Sequence, residues 1–191
     1  MKLLFATHNA NKVREIKSLL PGGIELVSLA DLHFYDDIPE TELTLEGNAR
    51  LKAQFLFQRL GLPCFAEDTG LEIDALHGAP GVFSARYAGE PSDPARNMAK
   101  VLHEMAGVAQ RTARFRTVIA HFSGPDVVYY TGVCEGTILE APRGNQGFGY
   151  DPIFQPAGCN LSFGEMRLED KNQFSHRKKA FDLFLANLRK A

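Results

Sequence analysis

The chain has 191 residues and a mass of 21.1 kDa, a size that suits one globular domain with a sizeable core. Hydrophobic residues make up 45% and charged residues 23%, which is ordinary for a folded soluble protein and unlike a disordered chain. The formal net charge of −2 argues against binding of nucleic acid through bulk positive charge, and no apolar run is long enough to predict a membrane span.

The cysteines indicate a reducing compartment. Cys64, Cys134 and Cys159 are odd in number, far apart and without a CxxC pair, so neither a disulfide scaffold nor a structural zinc site is predicted. Cys64 lies in an apolar run, and we interpret it as a buried, unreactive thiol. The apolar run at the N-terminus is too short for a signal peptide, so we expect a cytoplasmic protein.

Hydrophobic periodicity and turn residues predict an α/β fold that begins with a βαβ-like unit. In chain order, the predicted elements are a strand over 2–6, a helix from Asn11 to Leu20, a strand over 24–29, a helix capped by Thr44 and running to Leu60, strands over 64–67 and 71–75, a helix capped by Ser92 or Asp93, strands over 115–122 and 127–139 joined by a turn over 123–126, a glycine-rich loop over 143–152, and a helix over 175–188. Repeats and linkers are not visible, so we expect a single domain over 1–191.

The first candidate for chemistry is the loop Thr7 to Lys12, between a predicted strand and a helix. A helix N-terminus carries N–H groups and partial positive charge that favour phosphate, and Lys12 adds a full charge. An ordinary polar loop, with Asn9 as a helix cap, fits the same residues about as well.

The second candidate is Asp68, which follows an apolar strand. Ligands of open α/β sheets bind beyond the carboxyl ends of strands, which suits Asp68 for a metal ion or a water molecule. Glu67 and Asp68 are adjacent and should point to different sides of an extended chain. The alternative is that Asp68-Thr69-Gly70 is simply a turn that joins two strands.

Two further candidates lie toward the C-terminus. Glycines in the loop 144–152 would allow close approach of a ligand, and Phe148 and Tyr150 offer stacking faces, although a mobile surface loop is the alternative. Lys171 and Arg177 could pair with a phosphate or a base oxygen, although isolated charges of this kind are more often solvated. The absence of a GxSxG motif disfavours serine hydrolysis.

Taken together and in this order, the four stretches resemble the inosine triphosphate pyrophosphatase family of the bacterial type. The resemblance spans nearly the whole chain and departs at His8, where many members have glycine. It rests on Phe5-Ala6-Thr7-His8-Asn9-Ala10-Asn11-Lys12, Glu67-Asp68-Thr69-Gly70-Leu71, Gly78-Ala79-Pro80-Gly81-Val82-Phe83-Ser84-Ala85-Arg86-Tyr87, Gly147-Phe148-Gly149-Tyr150-Asp151-Pro152, and Lys171 with Ser175-His176-Arg177.

This resemblance implies an enzyme that cleaves ITP, dITP and XTP to the monophosphate and pyrophosphate with Mg²⁺. It implies a homodimer and a two-lobed α/β fold, in which a long twisted mixed β-sheet is flanked by helices and the active site lies in the cleft between the lobes. The implied substrate-binding residues are Thr7, His8, Asn9, Ala10, Asn11, Lys12, Thr69, Phe148, Gly149, Tyr150, Asp151, Lys171, His176 and Arg177.

Within that set, Lys12, its loop and Lys171 are assigned to the phosphates. Phe148 is expected to stack on the base and Tyr150 to flank it, and the base edge is assigned to Asp151, His176 and Arg177. Hypoxanthine and xanthine carry an oxygen at position 6 where adenine has an amino group, so donors at that position would select against adenine.

Asp68 is the expected catalytic residue, either as a Mg²⁺ ligand or as the base that orients the attacking water. A second metal carboxylate is expected in the acidic stretch 18–49, which contains no Lys or Arg. Glu40 is the preferred candidate, with Asp36 and Asp37 as alternatives. Two rival functions stay open, namely a pyrophosphatase for modified pyrimidine nucleotides and a sensor that binds nucleotides without turnover.

Overall fold

The computed structural model describes residues 1–124 and 126–189. Pro125 of the predicted 123–126 turn lies outside the described residues, as do Lys190 and Ala191. The helices and strands of the described residues are β1 (Lys2–Phe5), α1 (Ala10–Ser18), β2 (Glu25–Ser28), α2 (Leu45–Leu60), β3 (Cys64–Ile73), α3 (Pro94–Glu104), β4 (Thr112–Phe122), β5 (Val127–Ile138), β6 (Phe154–Pro156), α4 (Leu168–Lys171) and α5 (His176–Leu188).

The strands form one mixed sheet in the order β2-β1-β3-β4-β5-β6. β1 pairs in parallel with both β2 and β3, and β5 pairs antiparallel with β6. The parallel β1–β2 pair with α1 between its strands is the expected βαβ-like start. The predicted α/β class with a mixed sheet and flanking helices is therefore confirmed.

The chain is arranged in two compact units. The first contains Met1–Asp68, Thr117–Gly132 and the chain from Arg177, and the second contains Thr69–Arg116 and Val133–His176. Each unit is thus assembled from separate stretches of sequence, and the single domain over 1–191 stays a prediction.

Aromatic side chains fill the core of each unit. In the first unit, Phe5 stacks on Phe65 with ring centroids 4.5 Å apart, and Phe65 contacts Phe184 of α5 at 4.9 Å. In the second unit, Phe115 contacts the edge of Phe154 at 4.7 Å. Phe5, Phe65, Phe115 and Phe154 all lie on strands, so side chains of the sheet contribute to the core of each unit.

Side-chain caps set the helix starts. The Asn9 side-chain oxygen accepts hydrogen bonds from backbone amides at the start of α1, and the Asp93 carboxylate does the same at the start of α3. The Thr44 hydroxyl accepts a hydrogen bond from the Gly47 amide at the start of α2. α2 ends at Leu60 and is capped by Gly61, whose left-handed φ of 65° suits glycine. The predicted caps Thr44 and Asp93 are confirmed. Among the helices of residues 1–124 and 126–189, none combines the length and the apolarity needed to cross a bilayer.

The alternative of a turn at Asp68-Thr69-Gly70 is wrong, and the two strands predicted over 64–67 and 71–75 are one, because β3 runs without interruption from Cys64 to Ile73. Gly70 is needed for another reason. A Cβ at this position would lie 2.6 Å from the carbonyl oxygen of Gly81, so glycine permits a close backbone approach. Pairing within the sheet therefore overrides the local turn preference of these three residues.

The interpretation of Cys64 as an unreactive thiol agrees with its surroundings. Its Sγ lies 3.2 Å from the carbonyl oxygen of Ala53, and burial raises the pKa of the thiol to about 12. Cys64, Cys134 and Cys159 are all free thiols.

We expect Gly70→Ala to lower the free energy of unfolding by about 1–3 kcal/mol, because the added methyl group must displace the Gly81 backbone. Urea denaturation measures the change. Gly22→Ala is the matched control, since a Cβ there meets no atom within 4 Å. Equal stability losses in the two variants would contradict the close approach as the reason for Gly70.

Candidate active site

The loop between β1 and α1 is organised by its own side chains. The Asn11 and Lys12 amides donate to Asn9 Oδ1 at 3.0 and 3.2 Å, and the Asn9 amide donates to Thr7 Oγ1 at 3.2 Å. Asn9 is therefore a helix cap, as one of the two interpretations of this loop predicted. A phosphate that approached the amides of Asn11 and Lys12 would have to compete with the Asn9 oxygen.

β3 presents Glu67 and Asp68 to different surroundings, as expected for adjacent residues of a strand. Glu67 is 1% exposed and contacts Lys12 and Arg177, whereas Asp68 is 7% exposed and contacts Lys52 of α2. Two buried carboxylates on one strand therefore belong to two different groups of charges.

Glu67 is the centre of a four-charge network, which we define as Lys12, Glu15, Glu67 and Arg177. The Arg177 Nε lies 2.9 Å from both Glu67 carboxylate oxygens, and its Nη2 lies 2.8 Å from Oε1. The Arg177 Nη1 donates to Glu15 Oε2, and Lys12 Nζ lies 3.4 Å from Glu67 Oε1. The network joins α1, β3 and α5 within the first unit.

Burial and pairing act in opposite directions on these pKa values. Burial disfavours the charged form of Glu67, but attraction to Arg177 and Lys12 outweighs it, and the pKa of Glu67 is lowered. Burial alone would lower the pKa of Arg177, yet Glu67 and Glu15 raise it. For Lys12, burial is the larger effect and lowers its pKa despite the attraction of Glu67.

Asp68 belongs to a three-charge cluster, which we define as Glu40, Lys52 and Asp68. The Lys52 Nζ donates to Asp68 Oδ1 and to Glu40 Oε1, each at 2.7 Å. Burial disfavours the Lys52 ammonium, but the two carboxylates more than offset this and raise its pKa. Two carboxylates thus converge on one buried ammonium group.

Among the three acidic candidates for the second metal ligand, Glu40 is the one that shares Lys52 with Asp68. Asp36 instead lies 3.7 Å from Arg59 in a solvent-exposed ion pair. Within residues 1–124 and 126–189, no three His, Cys, Asp or Glu side chains are grouped so that they could hold a metal ion by themselves. A metal ion here would need oxygen donors from water or substrate as well.

In the second unit, Asp151 organises the glycine-rich loop. Its Oδ2 accepts from the Phe148 amide at 2.8 Å and from Lys171 Nζ at 2.6 Å, and both charged side chains are 3% exposed. The same ammonium lies 5.3 Å from the Phe148 ring centroid and 5.1 Å from that of Phe163. Lys171, which was assigned to the phosphates, is therefore placed with two residues that were assigned to the base.

Tyr150 and His176 are buried in the second unit at 5% and 2% exposure. The Tyr150 hydroxyl donates to the Ser84 carbonyl oxygen at 2.7 Å, and burial raises the pKa of Tyr150. The His176 ring stacks on Phe115 with centroids 4.7 Å apart. Both side chains thus have defined packing partners in addition to any contact with a substrate.

The predicted site residues fall into two sets, one in each unit. Those of the first unit are Thr7, His8, Asn9, Ala10, Asn11, Lys12, Glu40, Asp68 and Arg177. Those of the second unit are Thr69, Phe148, Gly149, Tyr150, Asp151, Lys171 and His176.

Lys52 and Glu15 are two residues of these groups that the sequence analysis missed. Lys52 is 5% exposed and lies on the apolar side of α2, one turn after Asn48. A lysine on the buried side of an amphipathic helix indicates a nearby carboxylate, because a buried charge requires a partner of opposite sign. Glu15 follows Lys12 at i+3 and lies beside the buried Ile16, which is a weaker signal of the same kind.

Comparison with known proteins identifies the family. The model of the Ham1 family matches residues 3–187. The chain belongs to the Ham1 family. It is 52% identical over 181 residues to the dITP/XTP pyrophosphatase of Christiangramia forsetii, with 95% of each chain covered. It is 53% identical over 180 residues to the dITP/XTP pyrophosphatase of Porphyromonas gingivalis, with 94% of this chain and 93% of that protein covered.

Solved structures of Ham1 proteins share the fold. The HAM1 protein of Coxiella burnetii is 37% identical with a TM-score of 0.90, and the whole of both chains is covered. The Ham1 protein of Staphylococcus aureus is 34% identical with a TM-score of 0.88, covering 100% of this chain and 99% of that one. The fold expected for a Ham1 chain is therefore the fold observed.

We expect Arg177→Met to lower the free energy of unfolding by about 3–5 kcal/mol, because it leaves the buried Glu67 and Glu15 without their guanidinium partner. Urea denaturation measures this. Lys178→Met is the matched control, since its ion pair with Asp182 is solvent-exposed and contributes at most about 1 kcal/mol. Similar denaturation midpoints for the two variants would argue against the four-charge network as a major source of stability.

Proposed function

We propose that this protein hydrolyses the noncanonical purine nucleoside triphosphates ITP, dITP and XTP to the monophosphate and pyrophosphate. The observation that carries the proposal is the three-charge cluster, in which Asp68 and Glu40 share Lys52 in the unit that also contains the Thr7–Lys12 loop. Relatives named dITP/XTP pyrophosphatase, at 52% and 53% identity over almost the whole chain, support the choice of substrates.

The three-charge cluster suits Mg²⁺. Asp68 Oδ1 and Glu40 Oε1 both lie 2.7 Å from Lys52 Nζ, so the two carboxylates already converge on one cationic group. Mg²⁺ prefers oxygen ligands and is commonly held by one or two carboxylates together with water and substrate phosphates. A bound Mg²⁺ ion would neutralise phosphate charge and polarise the bond that is cleaved.

The residues of this chain then have separable tasks in the first unit. Asp68 acts as a metal ligand or as the base that orients the attacking water, and the two roles demand the same buried carboxylate. Lys12 and its loop bind the phosphates, for which charge neutralisation and positioning are the main needs. Lys52, whose pKa is raised, keeps a full positive charge beside both carboxylates.

The Asp151–Lys171 pair and Phe148 of the second unit support a role in reading the base. The pair presents an oriented acceptor next to an oriented donor, and Phe148 offers an aromatic face. A base whose edge leaves such buried polar groups unpaired is rejected strongly. Tyr150 and His176 are proposed to border the base, and Arg177 to read its edge from within the four-charge network.

We further propose a homodimer in the cytoplasm, with a purine nucleotide as the ligand and neither nucleic acid nor a membrane as a partner. The resemblance to the inosine triphosphate pyrophosphatase family supports the dimer. The three free cysteines support a reducing compartment.

We expect hydrolysis of ITP with Mg²⁺ to be at least ~100-fold faster than hydrolysis of ATP, because adenine lacks the oxygen at position 6. Pyrophosphate release from a panel of purine and modified pyrimidine triphosphates, each with Mg²⁺ and with excess EDTA, measures both the selectivity and the metal requirement. Equal rates on ITP and ATP contradict the selectivity, and full activity in EDTA contradicts the metal. Faster turnover of a modified pyrimidine, or binding of ITP without turnover, would favour one of the two rival functions.

We expect Asp68→Asn to reduce ITP turnover by about 100- to 10,000-fold, because the amide can neither bind the metal as a carboxylate nor accept a proton. Circular dichroism and thermal melting check that the variant is folded. Asp182→Asn, which alters an exposed carboxylate of α5, is the control and should retain activity. A folded Asp68→Asn enzyme with full activity would remove Asp68 from the mechanism.

A further inference from the structure

The segment 29–44, between β2 and α2, carries Glu40 on irregular backbone. One end is held by a turn in which the Phe34 amide donates to the Leu29 carbonyl oxygen at 2.9 Å. The other end is held by the buried Asn48, whose Oδ1 accepts from the Glu42 amide at 2.9 Å. The position of Glu40 therefore depends on how the part between these two anchors is held.

His8 contacts that middle part. Its Nε2 lies 3.0 Å from the carbonyl oxygen of Asp36, a residue 28 positions further along the chain. A carbonyl oxygen can only accept, so the proton of this hydrogen bond is on Nε2 of His8. The bond links the loop at the start of α1 to the segment that bears Glu40, and both lie in the first unit.

We call the hydrogen bond between His8 and the Asp36 carbonyl the tether, and it lies only four residues from Glu40 along the chain. Asp36 precedes Glu40 by four residues, which span at most about 14 Å of extended chain. With Asp36 held by His8 and Glu42 held by Asn48, the backbone of Glu40 is restrained from both sides. A restrained carboxylate loses less conformational entropy when it binds a ligand.

We propose that His8 is a positioning residue, whose ring holds the Asp36 carbonyl and thereby keeps Glu40 beside Lys52 and Asp68. Where the proposal concerns Mg²⁺, it rests on the proposed function. The family resemblance implies that His8 is a substrate-binding residue, as part of the Thr7–Lys12 loop. The hydrogen bond of its ring gives the side chain a separate task.

Two variants test the tether. His8→Leu removes the donor, whereas His8→Gln keeps an N–H donor at nearly the same distance along the side chain. His103→Leu, at an exposed position of α3 in the second unit, is the matched control. His8 is exposed, so each variant should fold, and thermal melting checks this.

The first measurement is ¹⁵N NMR relaxation of the nucleotide-free enzyme, which gives an order parameter for each backbone amide. We expect the order parameters of residues 35–38, 40 and 41 to fall by at least about 0.2 in His8→Leu, because the segment loses its hydrogen bond to the His8 ring. His8→Gln and His103→Leu should match the unaltered protein. Unchanged order parameters over this segment in His8→Leu, or an equal fall in His8→Leu and His8→Gln, would overturn the proposal.

The second measurement is the Mg²⁺ concentration that gives half-maximal hydrolysis of ITP. We expect it to rise about three- to tenfold in His8→Leu, with a smaller change in kcat and with recovery in His8→Gln. A change confined to kcat would overturn the link to Glu40. If the order parameters respond as expected while none of the proteins hydrolyses ITP, the tether stands and the proposed function fails, so the two failures are distinguishable.

Discussion

The ion pair between Arg177 and Glu67 is the interaction on which the first unit depends. The two residues are 110 positions apart, and the bidentate contact fixes the start of α5 against the middle of β3. Both side chains are almost fully buried, so each charge would be costly without the other. Glu15 and Lys12 extend the contact to α1, which brings the phosphate-binding candidate loop onto the same charged centre.

The alternation of β3 places the adjacent Glu67 and Asp68 in two different groups of charges. Glu67 turns toward the four-charge network, in which two cations face two carboxylates. Asp68, the next residue, turns toward the three-charge cluster, in which one ammonium faces two carboxylates. The first group is formally neutral, so its buried charges balance one another, whereas the second keeps an excess negative charge that suits a divalent cation. A single strand thus supplies a carboxylate buried among paired charges and, at the next position, the carboxylate for which a catalytic role is proposed.

Features encoded by nearby residues were predictable, and features that depend on distant contacts were not. The caps Thr44 and Asp93, the parallel start and the α/β class follow from local patterns. The break predicted between strands 64–67 and 71–75 is wrong because Asp68-Thr69-Gly70 are residue types that favour turns locally, while the close approach of Gly81 cannot be seen along the chain. The same limit applies to Lys52. The position of this lysine on the apolar side of a helix can be seen in the sequence. Its two carboxylate partners lie 12 and 16 residues away along the chain, and only the fold brings them to the ammonium group.

The glycine-rich loop of the second unit shows how an apparently mobile sequence is ordered. Gly147 has a φ of 72°, and a Cβ there would lie 1.9 Å from Asp151 Oδ2, so the glycine makes room for the carboxylate. That carboxylate in turn holds the Phe148 amide and the Lys171 ammonium. The glycine therefore serves close packing around a charged pair, and the loop carries its aromatic and polar groups in a fixed arrangement. Selectivity between bases depends on polar groups that cannot move to accommodate the wrong edge, so the contacts of Asp151 are of the kind that the proposed base-reading role requires.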